Sequence, residues 1–184
     1  RPSQMTLGKG VPELLKVLAS LLMLSLATVS LAESSAPAQE FLRRAAQGGI
    51  ADVAAGKMAI TRARTPEVRK FAETVIKEHR LTHQLLKALA ANNHAVLPAA
   101  PTPEQRETLR ALQSKNGAEF EQAYVAAQIA AHEESIALLK AEIERDRNIE
   151  TKAFAKEMLP TLEAQLKKAY QLAKKEQRSA WLGG

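Results

Sequence analysis

The sequence predicts an all-α protein, an up-down-up-down four-helix bundle with a short extra helix in the second connection. Four long windows place apolar residues three or four positions apart, which is the helical period, and no convincing stretch alternates as a strand would. Alanine is abundant and only 4% of the residues are aromatic. That composition argues against β-sandwiches and against the aromatic platforms of single-strand nucleic-acid binders. A looser array of helices is the alternative architecture.

Residues 1–32 have the pattern of a signal peptide. Lys9 and Lys16 supply positive charge before the apolar run Val17–Leu31, which is shorter than the roughly 20 residues of a membrane span. Small residues then lead up to a cleavage position after Ala32. We therefore predict export, with a periplasmic location in a host that has two membranes, and no transmembrane helix after cleavage. The alternative is an uncleaved N-terminal anchor helix.

The predicted bundle occupies residues 39–175, between a disordered linker at 33–38 and a flexible tail at 176–184. Breaks in the helical period set the limits of the helices. The predicted helices are Gln39–Ala63, Pro66–Asn92, Glu104–Ser114, Ala118–Arg145 and Ile149–Lys175.

Two Thr-Pro pairs mark helix starts. Thr65 can cap the second helix with Pro66 in its first turn, and Thr102 with Pro103 restarts the chain after a proline-rich connector. Pro160 lies inside the last window, where we expect it to kink the helix or to displace its start.

A single polar residue interrupts the apolar face of each long helix. Counted from the turns of the predicted bundle, the four residues lie at nearly equal heights, because each residue adds about 1.5 Å along a helix. We therefore expect them to converge in one layer near the middle of the bundle. Glycines on either side of the first would leave room for a water, an ion or a close helix. The four residues are Asp52, His79, His132 and Gln165, and the flanking glycines are Gly49 and Gly56.

Three interpretations of this layer are open. The favoured one is a buried hydrogen-bonded layer that fixes the helix register. The second is a metal site with ligands Asp52, His79, His132 and Gln165, whose donor types suit Zn, Fe, Mn or Cu. The third is catalysis, which no specific motif supports.

One feature weakens the metal interpretation. The duplicated Glu-x-x-His of di-iron bundles is missing. The acids Glu78 and Glu133 are adjacent in sequence to His79 and His132, so they point about 100° away on the helix and are not expected to share the site.

The other titratable residues receive simpler interpretations. His83 is expected on the flank of the bundle and His94 at an exposed loop, whereas Tyr124 and Tyr170 are expected to be half-buried. The chain has 26 basic and 20 acidic residues, a net charge of +6. Because the excess is spread along the sequence, we do not expect a nucleic-acid binder.

Several segments resemble the DUF4142 family. They are Ala45–Asp52, Phe71–His79, Gly117–Tyr124 with its continuation to His132, and Met158–Leu162 with its continuation to Leu166. The resemblance implies an exported bacterial protein with a ferritin-like helical fold and no settled activity. Because members are often labelled outer-membrane proteins, it also implies an outer-membrane association. This chain departs from the family pattern in having Asp52 in place of Glu and Gln165 in place of His.

The sequence therefore favours an exported protein with an interaction or stress-protection role and an unidentified protein or envelope partner. We expect no catalytic activity, and the cofactor stays open, with a divalent metal (Zn, Fe, Mn or Cu) as the candidate. The alternative is a metal-binding protein that uses Asp52, His79 and His132 in the bundle core.

Overall fold

A computed structural model describes residues 36–145 and 148–182, and this part of the chain contains five helices. The predicted signal peptide and the first half of the predicted linker lie outside the described residues. The helices are α1 Ala36–Arg62, α2 Pro66–Asn92, α3 Pro103–Gln113, α4 Gly117–Arg145 and α5 Ile149–Leu182.

The four long helices form a bundle made of two antiparallel pairs. Helix α1 packs along α2, and α4 packs along α5, while α1 also contacts α4 and α2 contacts α5 less extensively. The short α3 lies in the connection between the pairs, against α1 and α4. The predicted all-α bundle with an extra helix in its second connection is therefore confirmed.

The connection that contains α3 returns along the length of the bundle. Arg62, at the end of α1, donates from Nη1 to the backbone oxygens of Gln113 at 2.7 Å and Lys115 at 3.0 Å. The start of α4 therefore lies at the end of the bundle where α1 ends and α2 begins. Helices α2 and α4 run in the same direction, which a strict up-down order would not give. One long crossover of this kind is found in ferritin-like bundles.

Local side-chain chemistry explains where the helices begin. The Thr65 hydroxyl accepts from the Val68 amide at 3.4 Å, and a proline follows it in the first turn. Thr102 forms a reciprocal capping box with Gln105. Both predicted caps are confirmed. Asn148 caps the start of α5, because its Oδ1 accepts from the backbone amides of Glu150 at 3.0 Å and Thr151 at 3.1 Å.

Pro160 does not displace the start of α5. The residue is exposed inside the helix, which begins at Ile149 and continues to Leu182. Helix α5 thus enters the segment that the sequence predicts to be a flexible tail. None of the helices in the described ranges is both long enough and apolar enough to cross a membrane.

The apolar interior consists of two clusters, one toward each end of the bundle. The cluster nearer the α1–α2 turn includes Ala59, Val68, Phe71, Phe120, Tyr124 and Leu172. The cluster nearer the α4–α5 turn includes Phe41, Leu42, Leu86, Leu139 and Phe154. Both are made of apolar faces that recur at helical spacing, as the sequence predicts.

Candidate functional site: a buried polar layer

A layer of polar side chains separates the two apolar clusters. Every long helix contributes one of the predicted residues, and all four are buried. Their exposed fractions are 3% for Asp52, 9% for His79, 1% for His132 and 5% for Gln165. The residues that interrupt the apolar faces in sequence thus lie at one level inside the bundle.

His132 contacts oxygen atoms through both of its ring nitrogens. Its Nδ1 lies 2.8 Å from the backbone oxygen of Gln128, and its Nε2 lies 2.8 Å from Gln165 Oε1. The first contact reaches back one turn along α4, and the second joins α4 to α5. His132 therefore ties two helices together at the level of the layer.

Asp52 has one clear hydrogen-bond donor. Gln128 Nε2 donates to Asp52 Oδ1 at 2.9 Å, joining α4 to α1. The other carboxylate oxygen, Oδ2, lies 3.5 Å from His79 Nε2. That separation is at the outer limit of a hydrogen bond, so Gln128 is the stronger partner.

His79 is the least satisfied member of the layer. Its Nε2 is buried without a hydrogen-bond partner. Burial lowers the pKa of His79, and although nearby Asp52 acts in the opposite direction, the pKa stays below its usual value. His79 is therefore a neutral imidazole at pH 7. Its ring stands almost perpendicular to that of His132, with 6.0 Å between centroids and 80° between planes.

Glu78 joins the layer at its edge, contrary to the prediction that it would point away from the site. Gln165 Nε2 donates to Glu78 Oε2, and Glu78 is partly buried. The prediction was wrong because α2 and α5 share a less extensive contact than the other neighbouring pairs of long helices. A long side chain on the flank of α2 can therefore turn into the space between them.

Tyr124 also differs from its prediction. It is completely buried, stacked on Phe120 with 6.0 Å between ring centroids, rather than half-buried. Its hydroxyl has no hydrogen-bond partner. Burial, with a smaller contribution from Asp52, raises the pKa of Tyr124. Tyr170 is 48% exposed and donates to Glu133, as half-buried packing predicts.

Gln128 is the contact residue that sequence reasoning missed. It precedes His132 by one helical turn and is 1% exposed. Its spacing on the apolar face of α4 was the available signal. His83 is partly buried and His94 is exposed, as predicted.

Among the cavities that border the layer, two reach His79 and Asp52. The first, of about 50 Å³, lies between all four long helices and is lined by His79, Glu78, Gln165 and Met158 among others. The second, of about 330 Å³, lies beneath α3 and is lined by Asp52 among others. His79 and Asp52 therefore border different cavities.

The sequence profile of a domain of unknown function, DUF4142, matches residues 24–172 of the chain. The chain belongs to the DUF4142 family. The DUF4142 match covers the whole polar layer, and no curated protein sequence matches the chain. A solved structure, a DUF305 fragment from Deinococcus radiodurans, is similar to this DUF4142 chain. It has a TM-score of 0.69 and 12% sequence identity, covering 77% of this chain and 98% of that one. At that identity the similarity shows the fold alone.

The predicted four-ligand metal set stays a prediction for this DUF4142 protein. In the described part of the chain, no three His, Asp or Glu side chains are grouped so that they could hold an ion. His132 has both ring nitrogens in contact with oxygens. Binding by all four residues would require those contacts to be exchanged for metal bonds.

Proposed function

We propose that this DUF4142 protein is exported to the periplasm and acts there by binding a protein partner of the cell envelope, in an interaction or stress-protection role. The observation that carries the proposal is an exposed apolar pair on the outer face of α2. Leu81 and Leu85 are 54% and 48% exposed and lie one helical turn apart. Adjacent exposed leucines favour a contact with another protein over a purely solvated face. An association with the outer membrane is part of this proposal.

In this proposal the polar layer supports the fold and performs no reaction. The contacts of His132, Gln128 and Gln165 join α4 to α1 and α5 across the middle of the bundle. Hydrogen-bonded polar groups in a core restrict which helix positions can face each other.

Export is tested by mass spectrometry of the protein recovered from the periplasm. The N-terminal peptide should begin at Glu33. An intact N-terminal segment would contradict cleavage and favour a membrane anchor. Fractionation of the envelope then tests the outer-membrane association, which predicts protein in the outer-membrane fraction.

The partner surface is tested by placing a photoreactive amino acid at Leu85 in the exported chain. A discrete cross-linked product of higher mass is expected in living cells. The control is the same amino acid at Lys57, an exposed position on α1. No adduct at Leu85, or the same adduct at both positions, would contradict the proposal.

Metal binding is the second candidate function, and one observation favours it. His79 is a buried, neutral imidazole with an unpartnered nitrogen beside the Asp52 carboxylate. Neutral imidazole is a good ligand for Zn, Cu and Fe.

The metal candidate is tested on the exported chain, purified without a histidine tag. Elemental analysis should find close to one equivalent of metal, and chelator should lower the Tm. A ligand at 100 times its Kd adds about 2.7 kcal/mol of stability. Metal below one-tenth equivalent, with no Tm shift on adding Zn, Fe or Cu, would exclude this candidate.

A further inference from the structure

The small cavity beside His79, which all four long helices line, has the size of an ion site. Its volume of about 50 Å³ compares with roughly 10–15 Å³ for one water on the same measure. It can therefore hold an ion with one or two waters, but not an organic cofactor. Apolar side chains, among them Leu138 and Leu162, form much of its wall, which limits the solvation of anything bound there.

The two nitrogens of His79 face different surroundings. Nε2 points toward Asp52, 3.5 Å from Oδ2. On the other side of the ring, a Cβ atom placed on Gly49 would lie 3.4 Å from Nδ1, and Gly49 and His79 line the same cavity. A neutral imidazole with its proton on Nε2, toward the carboxylate, presents the Nδ1 lone pair to the Gly49 side. A carboxylate behind a ligating imidazole orients the ring and increases its basicity.

Met158 provides a second donor in the same cavity. The Thr82 hydroxyl donates to Met158 Sδ at 3.6 Å, which fixes the thioether against α2, and both residues line the cavity. Glu78 lies on the cavity wall with its carboxylate bonded to Gln165. The space is thus bordered by an imidazole, a thioether and a carboxylate.

This donor set selects for a class of cation. Thioethers are soft ligands that bind Cu(I), whereas Mg²⁺ and Ca²⁺ require oxygen ligands. Imidazole binds both Cu(I) and Zn²⁺, so it is the thioether that favours Cu(I) over Zn²⁺.

We propose that this cavity binds one soft cation of the Cu(I) type through His79 Nδ1 and Met158 Sδ, with the Asp52 carboxylate on the opposite side of the His79 ring. The site rests on the metal-binding candidate above, but it differs from the predicted set. It uses neither His132 nor the Gln128 contact, so the hydrogen bonds that join α4 to its neighbours remain intact on binding.

The test is a Cu(I) titration of the exported chain in competition with a chromophoric Cu(I) chelator, with Zn²⁺ titrated in parallel. One equivalent of Cu(I) should bind. Met158→Leu, which conserves volume, should weaken Cu(I) binding at least tenfold with little change in Tm. The control is Met58→Leu on α1, which packs against the other apolar cluster and should leave Cu(I) binding unchanged. X-ray absorption at the copper edge should show a sulfur ligand that is lost in Met158→Leu.

The outcomes separate this inference from the function on which it depends. If no metal binds, the Cu(I) site and the metal-binding candidate are both wrong. If Cu(I) or Zn²⁺ binds equally well to the chain and to Met158→Leu, metal binding stands and the thioether site is wrong. His79→Gln should abolish Cu(I) binding, and Met158→Leu keeps the test informative if that variant does not fold.

Discussion

Single residues in the polar layer differ in how well their hydrogen-bonding groups are satisfied. His132 has an oxygen at each ring nitrogen, and Asp52 has one firm donor, Gln128. The hydroxyl of Tyr124 and Nε2 of His79 have no partner although both are buried. Buried polar groups without partners lower the stability of the folded protein. Removing the donor of a satisfied group, such as Gln128 beside Asp52, should therefore destabilise the protein. Removing an unpartnered group, such as the Tyr124 hydroxyl, should stabilise it.

Gln128→Leu should destabilise the protein by about 3 kcal/mol, because it removes the donor to a buried carboxylate. Urea unfolding measures the change. In an Asp52→Asn background the same substitution should cost much less, since no charge is left uncompensated. Equal losses in the two backgrounds would show that the Gln128–Asp52 contact contributes nothing specific.

Tyr124→Phe should stabilise the protein by about 1 kcal/mol, because the buried hydroxyl is desolvated without forming a hydrogen bond. The ring stacking on Phe120 is retained in this variant. The measurement is the free energy of unfolding in urea. A clear loss of stability would mean that the hydroxyl has a partner, such as a buried water.

At the scale of helices, the packing of α1 depends on where its glycines face. A Cβ on Gly56 would lie 2.8 Å from Ile76 Cγ1, whereas a Cβ on Gly48 would lie 3.7 Å from Ser135 Oγ. The first distance is a clash with a β-branched side chain on α2, and the second is an ordinary contact. The same Gly→Ala change should therefore have different effects at two positions of one helix.

Gly48→Ala should stabilise the protein by roughly 0.5–1 kcal/mol, through the helix propensity of alanine. Gly56→Ala gains the same propensity but should be destabilising by about 1–3 kcal/mol, because α1 and α2 must move apart. Thermal unfolding of the two variants provides a matched comparison. Stabilisation by both would contradict the close approach of α1 and α2.

The helices were predictable from local chemistry, and their spatial order was not. Thr65 and Thr102 cap helices where the sequence predicts, since capping depends only on residues within one turn. The return of the chain along the bundle depends on long-range contacts, such as those of Arg62 with the end of α3. Nothing in the sequence of the connector gives its direction.

In the polar layer, too, some features were predictable from the sequence and others depend on packing between helices. Helical spacing places its four predicted residues on buried faces, and equal heights follow from the rise per residue. The part played by Glu78 was not predictable, because it depends on the looser packing of α2 against α5. The pairing of Asp52 with Gln128 likewise depends on side-chain geometry.

At the scale of the whole molecule, two titratable groups give opposing contributions to the pH dependence of stability. Burial lowers the pKa of His79, with Asp52 and Glu78 opposing this effect and His132 adding to it. Burial and the nearby Glu121 raise the pKa of Glu176 to about 7.

The signs follow from proton binding in the two states. Below pH 6.5 the unfolded chain binds a proton at His79 that the folded chain does not, so this residue reduces stability as the pH falls. Between about pH 4.5 and 7 the folded chain holds a proton on Glu176 that the unfolded chain has lost, so this residue reduces stability as the pH rises.

Between pH 5 and 6.5 the two contributions should partly cancel, and the stability of the unsubstituted protein should change little. Glu176→Gln should lose stability on acidification in this range, with a slope of at most about 1.4 kcal/mol per pH unit. His79→Gln should gain stability on acidification. Urea unfolding at half-unit pH steps measures the slopes, and parallel profiles for the two variants would contradict the assignment.

The layer between the two apolar clusters has a mechanical consequence. If one long helix slid by a single turn, about 5.4 Å, its polar residue would face the leucines and phenylalanines of a cluster. Axial motion is therefore opposed in both directions. The contact between α2 and α5 is the less extensive one, so sideways separation of these two helices is the motion that meets the least resistance. Such a movement would break the contacts of Thr82 with Met158 and of Glu78 with Gln165, while the pairing of α1 with α2 and of α4 with α5 persists.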